Sequence, residues 1–134
     1  MSRGKITLVM VGPHGSGKTT LGRMAASMLG WVYQPEIGRL LREDALRRDP
    51  GNNALRMQPQ FDRKVMEMEA LRDLQPVGSR IVETWHPGNM GYASLRSSEV
   101  ACGYADFLKQ HIRRLNQIIL IQPLAIGGKS PRSA

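Results

Sequence analysis

The sequence predicts a three-layer α/β/α fold, a mostly parallel sheet of about four strands with helices on both faces. Three observations carry that expectation. Ile6-Thr7-Leu8-Val9-Met10-Val11 and Ile118-Ile119-Leu120-Ile121 are apolar runs without polar alternation, the pattern of strands covered on both faces. Between them apolar residues return at helical spacing, so strands and helices alternate along the chain. A glycine-rich turn follows the first strand directly, and open α/β sheets collect ligands at the carboxyl ends of their strands.

The elements follow in order. After the turn, Leu21, Met24, Ala25, Met28 and Leu29 share one helical face, and Gly30 stands where a C-cap belongs. Trp31-Val32-Tyr33 is a short second strand closed by Pro35, and Ile37, Leu40, Leu41 and Ala45 stripe a second helix. Asp49-Pro50-Gly51-Asn52-Asn53 makes a loop. Phe61, Val65, Met68 and Leu71 mark a third helix that opens near Pro59 and stops before Pro76 and Gly78. Arg80-Ile81-Val82-Glu83-Thr84-Trp85 is the next strand, and His86-Pro87-Gly88-Asn89 breaks the pattern. From about Ser98, the positions Val100, Tyr104, Phe107, Leu108, His111 and Leu115 give another helix, leading into a buried-strand run at 118–121. Residues 123–134 hold too few apolar side chains to pack and read as a mobile basic tail, leaving 1–122 as the folded domain.

A chain of 134 residues, 41% hydrophobic, buries one core. Nineteen Lys and Arg against 11 Asp and Glu give a formal charge of +8, which favours anionic partners without choosing among nucleotides, nucleic acid and acidic lipid. Residues 107–134 hold Lys109, Arg113, Arg114, Lys129 and Arg132 and no acid. The single Cys102 excludes an intrachain disulfide and is expected to be a small buried residue on a helix. The opening apolar run is too short to span a bilayer and lacks a signal-peptide cleavage pattern, so a cytoplasmic protein without a membrane partner is expected. Three scattered histidines and one cysteine show no ligand spacing, and no metal beyond Mg²⁺ is expected.

Gly12-Pro13-His14-Gly15-Ser16-Gly17-Lys18-Thr19 fits G-x-x-x-x-G-K-[ST] and lies between a strand and a helix, as that motif requires. Glycines let successive N–H groups turn inward, and the helix beginning near Lys18 adds the positive end of its dipole. Lys18 is read as a point charge on the β- and γ-phosphates, and Thr19 as a hydroxyl for Mg²⁺. Residues 12–20, through Thr20, form the expected phosphate-binding segment, with His14 and Ser16 given no catalytic part.

With GPHGSGKTT, the short second strand ending in Gln34-Pro35-Glu36, and then Ile81-Val82-Glu83 and Tyr92-Ala93, the chain resembles the P-loop kinases of nucleosides and nucleotides, thymidylate kinase and the deoxynucleoside kinases among them. The resemblance covers roughly residues 5–122. It implies a P-loop NTPase fold, ATP and Mg²⁺ as cofactors, and a nucleoside or nucleotide as phosphate acceptor. Glu83 matches the family's strand-end acid, which activates the acceptor hydroxyl or holds magnesium through water. Thr84 stands where the family usually has arginine. Glu36 resembles the acceptor-binding acid and is equally an acid favoured at a helix start. Arg39 and Arg42 are candidate acceptor-phosphate ligands read more readily as solvated surface, and Trp85 is a candidate base-stacking residue or a core residue. Such kinases continue into an arginine-bearing lid, so the expectation is a chain short at its carboxyl end or a site completed by a partner, a homodimer being left open. Two other readings stand beside the kinase: a regulatory nucleotide-binding or ATPase module without a small acceptor, and a nucleic-acid binder that uses Lys109, Arg113 and Arg114.

Overall fold

Four strands, all parallel, hydrogen-bond in the order β2-β3-β1-β4. They belong to a computed structural model that describes residues 4–13, 15–51, 59–115 and 117–122; the basic tail lies outside those residues. The strands are β1 (Ile6–Met10), β2 (Val32–Gln34), β3 (Arg80–Glu83) and β4 (Gln117–Ile121). The helices are α1 (Lys18–Leu29), α2 (Ile37–Arg48), α3 (Pro59–Asp73), α4 (Trp85–Ser94) and α5 (Ser98–His111), with a 3₁₀ turn at Ile112–Arg114. This is the parallel α/β architecture the sequence predicts.

Successive side chains of a strand point to opposite faces, and the core divides accordingly. Met10 and Ile81 pack with Ala26 of α1 on one face, whereas Val9 and Val82 pack with Trp85 on the other. Each buried aliphatic or aromatic side chain contributes about 1.5–3 kcal/mol, so the two sides of β1 and β3 hold α1 and the α3–α5 group in place. A third cluster, Ile37, Phe61 and Val65, joins α2 to α3.

Two segments differ from the sequence expectation. β3 ends at Glu83 instead of running to Trp85, and α4 occupies the stretch that opens with His86-Pro87-Gly88-Asn89. Pro87 is tolerated because it sits in the first turn, where an amide has no intrahelical partner in any case. Among the described residues β4 is paired to β1 on one side only, and Ile119, Leu120 and Ile121 are exposed instead of buried. An apolar run says that a strand can be covered, and edge position decides whether it is. Cys102 on α5 is likewise exposed, contrary to expectation.

Where α3, α4 and α5 meet β3, the core is polar. Asp73 Oδ1 accepts from the Arg80 guanidinium and from the Trp85 indole N–H at 2.8 Å. His86 Nε2 and His111 Nε2 each lie 2.7 Å from Asp73 Oδ2, and His86 Nδ1 contacts the Tyr104 hydroxyl. Burial alone would raise the Asp73 carboxyl, but hydrogen bonds from His86, Arg80, Trp85 and His111 hold it well below the usual carboxylate range. Beside it, Asn89 Nδ2 donates to Glu69 at 2.9 Å and Arg72 pairs with the same carboxylate at 2.6 Å. Burial nevertheless pushes the Glu69 carboxyl up.

Candidate functional site

The loop from Gly12 to Gly17 leaves β1 and enters α1. Gly12, Gly15 and Gly17 adopt φ of 134°, 79° and 89°, values that side-chain-bearing residues rarely hold. Gly17 caps α1 without a side-chain hydrogen bond, and the first helical turn carries no acid. The first amides of the helix, at Lys18, Thr19 and Thr20, therefore meet no acid from the helix's own first turn and no capping side chain. Ser16 Oγ is buried without a hydrogen-bond partner, a polar atom that a bound phosphate oxygen would satisfy. Lys18 is buried, and its Nζ donates to the Gly12 carbonyl at 2.6 Å, so the ammonium lies across the loop. Glycine cradle, uncapped helix start, unpartnered hydroxyl and lysine together fit a phosphate chain. His14 lies outside the described residues; Pro13 and Gly15 are exposed at the loop's outer turn.

At the end of the neighbouring strand, Glu83 faces this loop. Its Oε2 accepts from Thr19 Oγ1 at 2.9 Å and from the Tyr33 hydroxyl, and its Oε1 accepts from Arg39 Nη1 at 3.2 Å. Burial alone would raise this carboxyl; the hydrogen bonds from Tyr33 and Thr19 and the charges of Arg39 and Lys18 reverse the sign and lower it. Glu83 is thus ionised at neutral pH, and with the Thr19 hydroxyl it offers oxygen donors of the kind Mg²⁺ takes. Burial is also the main cause that raises the Tyr33 phenol, followed by the Glu83 carboxylate, which keeps the phenol a donor.

β3 stops here because the backbone turns sharply. Thr84 has φ 75° and ψ −63°, and Trp85 follows at φ 57°, a conformation costing about 1–3 kcal/mol per residue. It is held from three sides. The Thr84 N–H donates to the Met10 carbonyl at 2.9 Å, its hydroxyl donates to Glu36 Oε1 at 3.3 Å, and the Trp85 indole is tied to Asp73. A Cβ at Gly88 would stand 2.3 Å from Thr84 Cγ2, so glycine is what lets α4 pass this close to the turn. Gly88→Ala is accordingly expected to lower stability by about 1–3 kcal/mol, read as a lower urea midpoint; an unchanged midpoint would show that the Thr84 turn relaxes freely.

A cavity of about 220 Å³ opens beside the loop, lined by Gly12, Thr84, Gly88, Gly91, Tyr92 and Leu95 among others. It lies at the carboxyl ends of β1 and β3, the rim where the α/β topology places ligands.

The structure brings Lys18, Thr19, Glu83 and Arg39 into one cluster, with Glu36 next to it. Glu36 is buried at the start of α2, shared between Thr84 and Arg42 Nη2 at 3.6 Å. Arg39 and Arg42 are therefore carboxylate partners more than solvated surface. Trp85 is 1% exposed and packs on Val9 and Val82, which corrects the base-stacking alternative: the ring has no free face to offer. Sequence reading missed Tyr33, since a tyrosine in a three-residue strand carries no local signal of a partner 50 residues away.

The AAA domain family matches residues 7–125 of the sequence. The chain belongs to this family. Among solved structures, the domain is similar to a NadR protein in complex with NR, at TM-score 0.66 and 18% identity, over 87% of this chain and 33% of the NadR chain. It thus spans about a third of that neighbour's length. A thymidylate kinase from Ehrlichia chaffeensis also matches, at TM-score 0.48 and 16% identity, over 91% of this chain and 93% of that one. No curated protein matches the sequence. The domain carries its phosphate-loop motif on a parallel α/β fold of the kind seen in that NadR structure. Among the described residues no helix is long and apolar enough to cross a membrane.

Proposed function

We propose that this domain is a phosphotransferase that binds ATP with Mg²⁺ on the 12–20 segment and passes the γ-phosphate to a hydroxyl of a nucleoside. The observation that carries the reading is the 2.9 Å hydrogen bond between Thr19 and Glu83, which places the strand-end carboxylate at the mouth of the phosphate loop across 64 residues of sequence. Phosphoryl transfer needs positioning and charge neutralisation more than covalent help, and the cluster offers both. Loop amides and Lys18 bind the phosphates, Thr19 and Glu83 hold magnesium, and Arg39 fixes the carboxylate from its other oxygen. Magnesium, when bound, neutralises triphosphate charge. A part on the metal side would suit Glu83, because its Oε2 meets the Thr19 hydroxyl that is read as the magnesium donor.

A nucleoside is favoured over a nucleoside monophosphate by the charge pairing. Arg39 and Arg42, the arginines of α2 beside the site, are each committed to a carboxylate, and Thr84 occupies the turn where an arginine would grip an acceptor phosphate. The cavity between Gly12 and Tyr92 supports a reading with a small acceptor over a purely regulatory nucleotide switch.

Radiolabelled ATP, offered to nucleosides and to monophosphates beside a control without acceptor, tests this directly. Label should move to a nucleoside; ATP consumption that ignores every acceptor would establish the regulatory ATPase instead. Binding is checked separately by calorimetry. A charge-assisted hydrogen bond is worth about 1.5–3 kcal/mol, so Lys18→Ala is expected to weaken ATP binding roughly tenfold to a hundredfold, and equal heats for parent and variant would remove Lys18 from the phosphate site.

A further inference from the structure

We propose that Asp73, His86 and His111 form a site for a late first-row divalent cation, zinc foremost, held by one carboxylate oxygen and two imidazole nitrogens. These residues come from the end of α3, the start of α4 and the end of α5. Their ligand atoms lie within 4.8 Å of one another, and all three side chains are buried. At zinc bond lengths near 2.0–2.2 Å, tetrahedral ligand atoms stand roughly 3.3 Å apart. The two 2.7 Å contacts from the histidines to Asp73 Oδ2 therefore have to open by only about 0.6 Å. Two imidazoles select zinc, cobalt, nickel or copper over magnesium and calcium, which prefer oxygen.

The surroundings support ligation. His86 presents Nε2 to the site, and its Nδ1 meets the Tyr104 hydroxyl. When the ion takes Nε2, the ring keeps its one proton on Nδ1 and donates it to that hydroxyl, which accepts as readily as it donates. The hydroxyl's own proton then turns away from the ring, and because its other neighbour, Asn89 Nδ2, is itself a donor, that proton loses its acceptor among the described residues, which lowers the affinity of the site. His111 is held by a stacked Phe107, with ring centroids 5.0 Å apart and 21° between planes. The far oxygen of Asp73 is fixed by Trp85 and Arg80, and the Arg80 charge makes the site weaker than one built on a carboxylate free of cations. A cleft of about 280 Å³, lined by Lys5, Thr7, Asp73, Arg80, Arg114 and Leu115 among others, reaches the carboxylate from the amino ends of the strands. Its basic wall both slows the approach of a cation and lowers its equilibrium affinity, so loading has to be carried to equilibrium at a metal concentration that saturates a weakened site.

The test uses the full chain without an affinity tag, stripped with chelator and dialysed to equilibrium against micromolar zinc or cobalt. Elemental analysis is expected to find one equivalent per chain, and cobalt to give the visible bands of a four-coordinate nitrogen and oxygen site. His111→Gln should lower zinc affinity at least about tenfold, and Tyr104→Phe, which keeps the ring but removes the partner of Nδ1, should lower it by about the same factor. A chain carrying both His14→Gln and Cys102→Ser should keep its metal. Should His111→Gln fail to fold, imidazole resonances of the parent decide: zinc-dependent shifts at two histidines support the site, and their absence removes it. Substoichiometric metal in the parent, or metal lost with His14 and Cys102, would overturn the proposal.

Discussion

Glu83→Gln is expected to reduce phosphoryl transfer by about tenfold to a hundredfold, the range for losing a group that supports a catalytic metal, while ATP binding without magnesium stays close to that of the parent. The carboxylate accepts from Thr19, Tyr33 and Arg39 at once. An amide supplies one acceptor oxygen and turns an NH₂ toward at least one of those donors. The loss then falls on magnesium dependence and turnover. Steady-state assays across magnesium concentrations check it, and full activity in the variant would take Glu83 out of the reaction. Tyr33→Phe, which removes one of the same hydrogen bonds and leaves the charge, is the milder companion, and its effect should be smaller than that of Glu83→Gln.

The largest stability effect is expected at Asp73. Asp73→Asn replaces a carboxylate that meets Arg80, Trp85, His86 and His111. The amide leaves the buried Arg80 guanidinium without its counter-charge and points donors at donors, for which the cost of breaking a buried pair is about 3–5 kcal/mol. Denaturant unfolding measures it in the chelated protein. Asp44→Asn, which loosens pairs with Arg47 and Arg48 on the exposed side of α2, serves as the contrast and should cost less than about 1 kcal/mol. Similar losses for the two variants would mean that the α3–α5 polar core contributes no more than a surface ion pair.

Much of the fold is legible in the chain because strand runs and helical stripes are local patterns. The turn after β3 is not. Thr84 and Trp85 read as β-prone residues continuing a strand, and His86-Pro87-Gly88-Asn89 reads as a break. The structure makes a helix there because tertiary contacts to Met10, Glu36 and Asp73 hold a backbone conformation that threonine seldom takes by itself. For the same reason a search for metal-ligand spacing in sequence passes over the histidines. His86 and His111 stand 25 positions apart on different helices, and what unites them is Asp73 at the end of a third.

The signature of a phosphate loop is written in the chain before folding, since glycine placement, the helix start and Lys18 fall within one short segment. The identity of what lies opposite that segment was settled by packing. Parallel pairing of β1 with β3 aligns Met10 with Glu83, and through that register a carboxylate 64 residues downstream reaches Thr19. Hydrogen bonding across a sheet sets such distances, and no local preference encodes them.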